Sequence, residues 1–116
     1  MKTTSSQIIN CFTNTLDTTV KRLEDGTTYI ITGDIPAMWL RDSVAQIRPY
    51  LMAAGEDKEI ADMLVGLVRK QFFYVNLDPY ANAFNQEANG NCWEHDETDM
   101  LPWIWERKYE LDSLCY

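Results

Sequence analysis

Histidine is nearly absent from this sequence of 116 residues, His95 being the single example, and cations are scarce: 10 Lys and Arg stand against 18 Asp and Glu, a net charge of −8. Nucleic acid is gripped by clustered Lys and Arg, so this balance argues against it as a main partner, and against an anionic membrane surface for the same reason. It suits a neutral or cationic ligand. Cysteine is sparse as well: Cys11, Cys92 and Cys115 cannot all pair and fall short of a disulfide scaffold. No stretch approaches the ~20 apolar residues of a membrane span. The polar start Met1-Lys2-Thr3-Thr4-Ser5-Ser6 lacks an apolar signal core, and no Asn-x-Ser/Thr acceptor occurs. Together these features read as a soluble, reduced, cytoplasmic chain. Also missing are Gly-x-Ser-x-Gly, Gly-x-Gly-x-x-Gly and any phosphate loop.

What is present is a globular mixture, 46% hydrophobic and 24% charged, long enough for one domain. A first helix is predicted from Ile8, Phe12, Leu16 and Val20, with Ile9 and Leu23 widening the stripe, Ser5 or Ser6 as cap and Gly26 as stop. The β-branched run Thr27–Thr32 reads as extended, and Gly33-Asp34-Ile35-Pro36 as a turn. A second helix is expected to start near Asp42 or Ser43, carry Val44, Ile47 and Leu51, be disturbed by Pro49 and end at Gly55. Asp57 caps a third, with Ile60, Met63, Leu64, Leu67, Val68 and Phe72 on one face. Asp78-Pro79-Tyr80 breaks that helix. From Ala81 to Pro102 there is no period, yet Phe84, Trp93 and Met100 argue against disorder. Trp103–Glu106 looks extended, and Glu110–Tyr116 looks like the start of a further helix. The fold class is therefore mainly α, with three to four helices and a short extended segment.

Two stretches carry chemistry. In Trp39-Leu40-Arg41-Asp42-Ser43, a rigid guanidinium fork stands next to a carboxylate acceptor and a flat apolar ring. Neighbouring Arg and Asp can bracket vicinal hydroxyls, one donating and one accepting. The plain alternative is that Asp42 caps the helix and Arg41 pairs with some carboxylate. Between Asn82 and Asp112, Glu87, Glu94, Asp96, Glu97, Asp99, Glu106, Glu110 and Asp112 face only Arg107 and Lys108 as cations, with Trp93, Trp103 and Trp105 interleaved. Aromatic faces with carboxylates and amides suit a sugar; a solvated acidic loop is the alternative. Cys92-Trp93-Glu94-His95-Asp96 has metal-ligand residue types but no paired spacing, so no metal site is assigned.

The run Thr32-Gly33-Asp34-Ile35-Pro36-Ala37-Met38-Trp39-Leu40-Arg41-Asp42-Ser43 resembles a signature of glycoside hydrolase family 125. Trp105-Glu106-Arg107-Lys108-Tyr109-Glu110-Leu111-Asp112-Ser113 resembles a second, and Ala83-Phe84-Asn85 lies in the matching stretch between. The resemblance covers the chain in order. It implies an exo-acting, inverting, metal-independent α-1,6-mannosidase built as an (α/α)6 barrel, with no cofactor and an α-mannoside oligosaccharide as partner. Trp39, Arg41 and Asp42 would border the terminal-mannose pocket, with Glu106, Lys108, Tyr109, Glu110 and Asp112 on a neighbouring loop of the same mouth. Twelve helices of ~11 residues with loops of ~5 need roughly 190 residues. Residues 1–116 are therefore expected to be a partial barrel domain, incomplete at the C-terminus and inactive alone. The general acid and base are expected beyond Tyr116, and the other walls from the remainder of the same chain. From a different class, the alternative is a small non-catalytic carbohydrate-binding module; a helical interaction protein would leave Trp39–Ser43 unexplained.

Overall fold

The computed structural model describes the backbone from Thr3 to Tyr116 and side chains from Ser5 onward; Met1 and Lys2 of the polar start lie outside the described residues. Its elements are α1 (Thr3–Thr18), β1 (Val20–Arg22), β2 (Thr28–Ile30), β3 (Met38–Trp39), α2 (Leu40–Ile47), a 3₁₀ turn (Arg48–Ala53), α3 (Lys58–Leu77), β4 (Ala83–Phe84), β5 (Ile104–Glu106) and α4 (Leu111–Cys115). The chain is mainly helical. No described helix is long and apolar enough to cross a membrane.

The first helix is shorter than its stripe suggests. It ends at Thr18, and Val20–Arg22 pairs antiparallel with Thr28–Ile30. The β-branched run Thr18-Thr19-Val20 favours the strand. Gly26, at φ +78°, turns a hairpin rather than a helix end. Within that turn Asp25 accepts from the Thr27 amide at 2.9 Å and its hydroxyl at 2.6 Å. Ser5 and Ser6 sit inside α1, not at its start. Tyr50 ties the helix down: its hydroxyl donates to the Phe12 carbonyl and the two rings lie 5.0 Å apart.

The second helix starts two to three residues earlier than expected, at Leu40, so Asp42 lies in its first turn instead of capping it. Trp39 occupies the cap position in extended conformation without a side-chain cap bond. The end is capped from a distance, because the Leu40 amide donates to the Asn82 carbonyl at 3.2 Å. Pro49 acts as anticipated: the α-helix stops at Ile47 and continues as a 3₁₀ turn.

Asp57 caps α3 as expected, its carboxylate accepting from the amides of Glu59 and Ile60. The buried face runs through Met63, Gly66, Leu67, Lys70 and Tyr74, while Val68 and Phe72 are exposed. β2 lies against that face, with Tyr29 and Ile30 fully buried. Thr28 donates its hydroxyl to the Met63 carbonyl at 2.9 Å. Lys70 is buried with its ammonium 5.2–5.4 Å from the rings of Phe73, Tyr74 and Trp103, and desolvation pushes its pKa down.

A three-stranded antiparallel sheet, β3-β4-β5, closes the other end. Phe84 is fully buried and stacks on Tyr74 at 4.3 Å. Met100 packs on the core, whereas Trp93 is 76% exposed and contributes nothing to it. Asn85 orders the aperiodic stretch: its amide nitrogen Nδ2 donates to the carbonyls of Asn91 and Pro102, and its backbone N–H to Trp103 at 2.7 Å. The three cysteines are unpaired.

The tightest packing is at Gly66, where an added Cβ would stand 2.5 Å from the Thr28 hydroxyl and 3.0 Å from the Gly26 carbonyl. Alanine there gains about 1 kcal/mol of helix propensity but overpacks an anchored strand. Gly66→Ala is expected to lower stability by a net ~1–3 kcal/mol. The control is Gly55→Ala, where nothing lies within 4 Å; it should be neutral or slightly stabilising. Equilibrium denaturation of the two variants checks this.

Candidate functional site

The site is assembled on the short sheet. Trp39 of β3 and Glu106 of β5 both pair with Ala83 of β4, so two segments distant in sequence meet across one residue. Trp39 is partly buried against Ala37, Ala83 and Trp105. α2 begins directly after it, which sets Arg41 and Asp42 on the first turn at the sheet's edge.

Arg41 is the centre of a half-exposed cluster. Its Nη1 donates to Asp112 Oδ2 at 2.7 Å and lies 3.6 Å from Glu110 Oε2, while its Nε lies 3.8 Å from Asp42 Oδ1. Glu110 is steadied by the Ser113 hydroxyl, which donates to Oε2 at 2.8 Å. The guanidinium holds the Asp112 carboxyl below its usual range, through the hydrogen bond first and its charge second. Reciprocally, Asp112 raises the Arg41 pKa, with Glu110 adding to it.

A second pair stands beside this cluster. Lys108 Nζ donates to Glu106 Oε2 at 3.2 Å, and that bond, with the Glu106 charge, raises the lysine pKa. Glu106 Oε1 accepts from Asn82 Nδ2 at 2.8 Å. Tyr109 is 57% exposed and meets Tyr80, an equally exposed ring 5.8 Å away, over which the Arg107 guanidinium sits. Arg107 also donates to Asp78 Oδ2 at 2.6 Å, pinning the loop to the end of α3.

Of the eight residues the sequence singles out, the fold gathers Arg41, Asp42, Glu110 and Asp112 into one cluster and Glu106 and Lys108 into a neighbouring pair. Tyr109 belongs to an aromatic contact at the rim, and Trp39 to the wall beneath. Sequence reasoning misses Asn82 and Tyr80. Asn82 was open to detection as an amide within the apolar run Ala81–Phe84; Tyr80 sits in a helix-breaking turn and gives no signal. The acidic residues Glu87, Glu94, Glu97 and Asp99 are solvated. The His95 ring lies 3.1 Å from the Asp96 carbonyl, and no group of three His, Cys, Asp or Glu among the described residues could hold a metal ion. Two cavities, of about 450 and 380 Å³, lie between α1 and the 3₁₀ turn and between α3 and α4; none of the eight residues lines either. The Arg41 cluster is half-exposed at the surface of this chain.

A family model described as metal-independent alpha-mannosidase (GH125) matches residues 2–116. The chain is 38% identical over 120 residues to the meiotically up-regulated gene 157 protein of Schizosaccharomyces pombe, covering 91% of this chain and 23% of that protein. It also superimposes on a Streptococcus pneumoniae metal-independent α-mannosidase in a non-productive complex with α-1,6-mannobiose. There the TM-score is 0.89 and the identity 58%, over 92% of this chain and 25% of the other. This chain spans about a quarter of the length of both.

The Arg41–Asp112 bond joins α2 to α4, and its pH dependence has a definite sign. A carboxyl held below its ordinary 3.8 contributes stability above that value and loses it as pH falls through the lowered value. Acidification from neutral pH down through that lowered value should therefore release α4 before α3. The Ser113 and Tyr116 amides, which close α4 onto Glu110 and Asp112, should lose hydrogen-exchange protection while Leu67–Tyr74 keep theirs. Asp112→Asn should show the same release already at the higher pH. Persistent protection of α4 in that variant would sink the assignment.

Proposed function

The chain belongs to the metal-independent α-mannosidase family GH125, and on that premise we propose that it forms part of the terminal-mannose pocket of an exo-acting, inverting α-1,6-mannosidase. The reading is carried by the convergence of Arg41, Asp42, Glu110 and Asp112 at the edge of one sheet, half-exposed and within 2.7–3.8 Å of the guanidinium. A hexose offers neighbouring hydroxyls to such a group: the guanidinium donates to one oxygen while a carboxylate accepts from the next. Trp39 and Tyr109 offer flat faces to the apolar side of a pyranose. An α-mannoside oligosaccharide is the ligand class, supported by the mannobiose bound in the S. pneumoniae relative.

On this reading the helices are part of an (α/α)6 barrel, residues 1–116 are a partial domain of it, and the remaining walls come from the rest of the same enzyme chain. Hydrolysis with inversion uses one carboxylic acid on the leaving oxygen and one carboxylate on a water, roughly 6.5–9.5 Å apart. Those two groups are assigned outside residues 1–116. The residues of the Arg41 cluster bind and orient, and a misplacement of ~1 Å can slow turnover about 100-fold.

The test uses the full-length enzyme containing this segment, supplied with α-1,6-, α-1,3- and α-1,2-linked mannobiose. Cleavage of the 1,6 linkage, with β-mannose as the first anomer seen by NMR, is the expected result; α-mannose first, or preference for another linkage, overturns it. Asp42→Ala and Arg41→Lys should each lower kcat/KM by about 100-fold, the second because lysine keeps the charge but loses the planar fork. Near-normal turnover would remove both from the site.

A further inference from the structure

We propose that Asn82 is the positioning residue that holds the two halves of the sugar site in register. The inference rests on the function just proposed, but its geometry stands by itself. Asn82 is fully buried and lies directly before β4. Its backbone carbonyl accepts from the Leu40 amide at 3.2 Å, which caps α2 immediately before Arg41. Its backbone N–H donates to the Glu106 carbonyl at 3.2 Å. Its side chain reaches the same segment twice more: Nδ2 donates to Glu106 Oε1 at 2.8 Å, and Oδ1 accepts from the Lys108 amide at 3.0 Å. One buried residue thus touches both the Trp39–Asp42 wall and the Glu106–Asp112 wall.

The side-chain amide has a single workable orientation. Turned over, its NH₂ would face the Lys108 N–H and its oxygen would face the Glu106 carboxylate; both contacts are repulsive. No aliphatic residue can make either bond, and leaving a buried N–H and a carboxylate unpaired is costly. With Lys108 Nζ on Oε2 and Asn82 on Oε1, the Glu106 carboxylate is fixed at both oxygens. Asp96 and Glu94 also act on Lys108, and the intervening Arg107 is turned to Asp78. A Glu106 fixed in this way presents a defined acceptor edge to a hydroxyl.

Asn82→Asp tests the role without changing volume. While the introduced carboxyl is protonated, it offers an oxygen acceptor and an O–H donor in the places of the amide oxygen and nitrogen. Once it ionises, two carboxylates oppose each other across the former hydrogen bond, which raises the pKa of the pair. In the full-length enzyme the variant should come within a few-fold of wild-type kcat/KM near pH 5, and fall about 100-fold below it near pH 8. Asn82→Ala should be lowered by a similar factor at both pH values. The second readout is independent of activity. A folded carboxyl pair with a raised pKa is destabilising above that value and relieved below it, so the Tm deficit of Asn82→Asp should be larger at pH 8 than at pH 5. If the Tm deficit is pH-independent, or Asn82→Asp follows the wild-type pH profile, the positioning role is wrong. If the Tm difference behaves as described while the wild-type enzyme leaves α-mannosides intact, the positioning role stands and the proposed substrate fails instead.

Discussion

Two residues of β4, Ala83 and Phe84, keep the site in one place. β4 is the middle strand, so the segments that supply Arg41 and Glu106 are located relative to each other through it. Its own position is set by two tyrosines from outside the sheet. Tyr29 donates to the Phe84 carbonyl at 2.9 Å, Tyr74 donates to the Asn85 carbonyl at 2.7 Å, and the Tyr74 ring stacks on Phe84. Burial pushes both phenols far up, so they remain neutral donors wherever the protein is folded. The sheet is thereby hung from β2 and α3, the best-packed part of the molecule.

This arrangement separates the stability of the core from the placement of the charged cluster. Half-exposed ion pairs such as those of Arg41 and Lys108 are screened by water and contribute little to the stability of the core; the Arg41–Asp112 bond docks only α4. What holds them in place is apolar burial around Tyr29, Leu67, Tyr74 and Phe84, together with amide bonds from Asn82 and Asn85. Exchanging one of these carboxylate partners would therefore leave the core intact. Arg41 illustrates the point, since three carboxylates surround one guanidinium and none is needed to bury a side chain.

How much of this is legible in the sequence depends on whether the signal is local. The Asp57 cap, the break at Pro49 and the extended Thr28–Ile30 follow from residue chemistry within a few positions, and each is present. The start of α2 escapes such reasoning because its cap is the Asn82 carbonyl, more than forty residues away and invisible to any local rule. The buried face of α3 departs from the expected stripe because Gly66 and Lys70 interrupt the apolar run. Glycine is there to admit Thr28, and the lysine is tolerated because three rings accept its charge. Hydrophobicity alone suggests a packed Trp93, yet an exposed aromatic violates nothing. The charged residues of the site are legible as chemistry, while their meeting is a matter of strand pairing.

The pairing also explains why the two long motifs are separated by an aperiodic run. A two-residue strand cannot register itself, since it makes too few ladder bonds to exclude a slip of one position. Asn82 and Asn85 bracket Ala83-Phe84, and the side chain of each bonds only if the strand is in its observed register. A slip by one residue would take both amides away from these partners and move the Phe84 ring off Tyr74. The short strand therefore needs polar residues at both ends more than it needs length. That requirement accounts for two buried asparagines, Asn82 and Asn85, on either side of Ala83-Phe84 in the core.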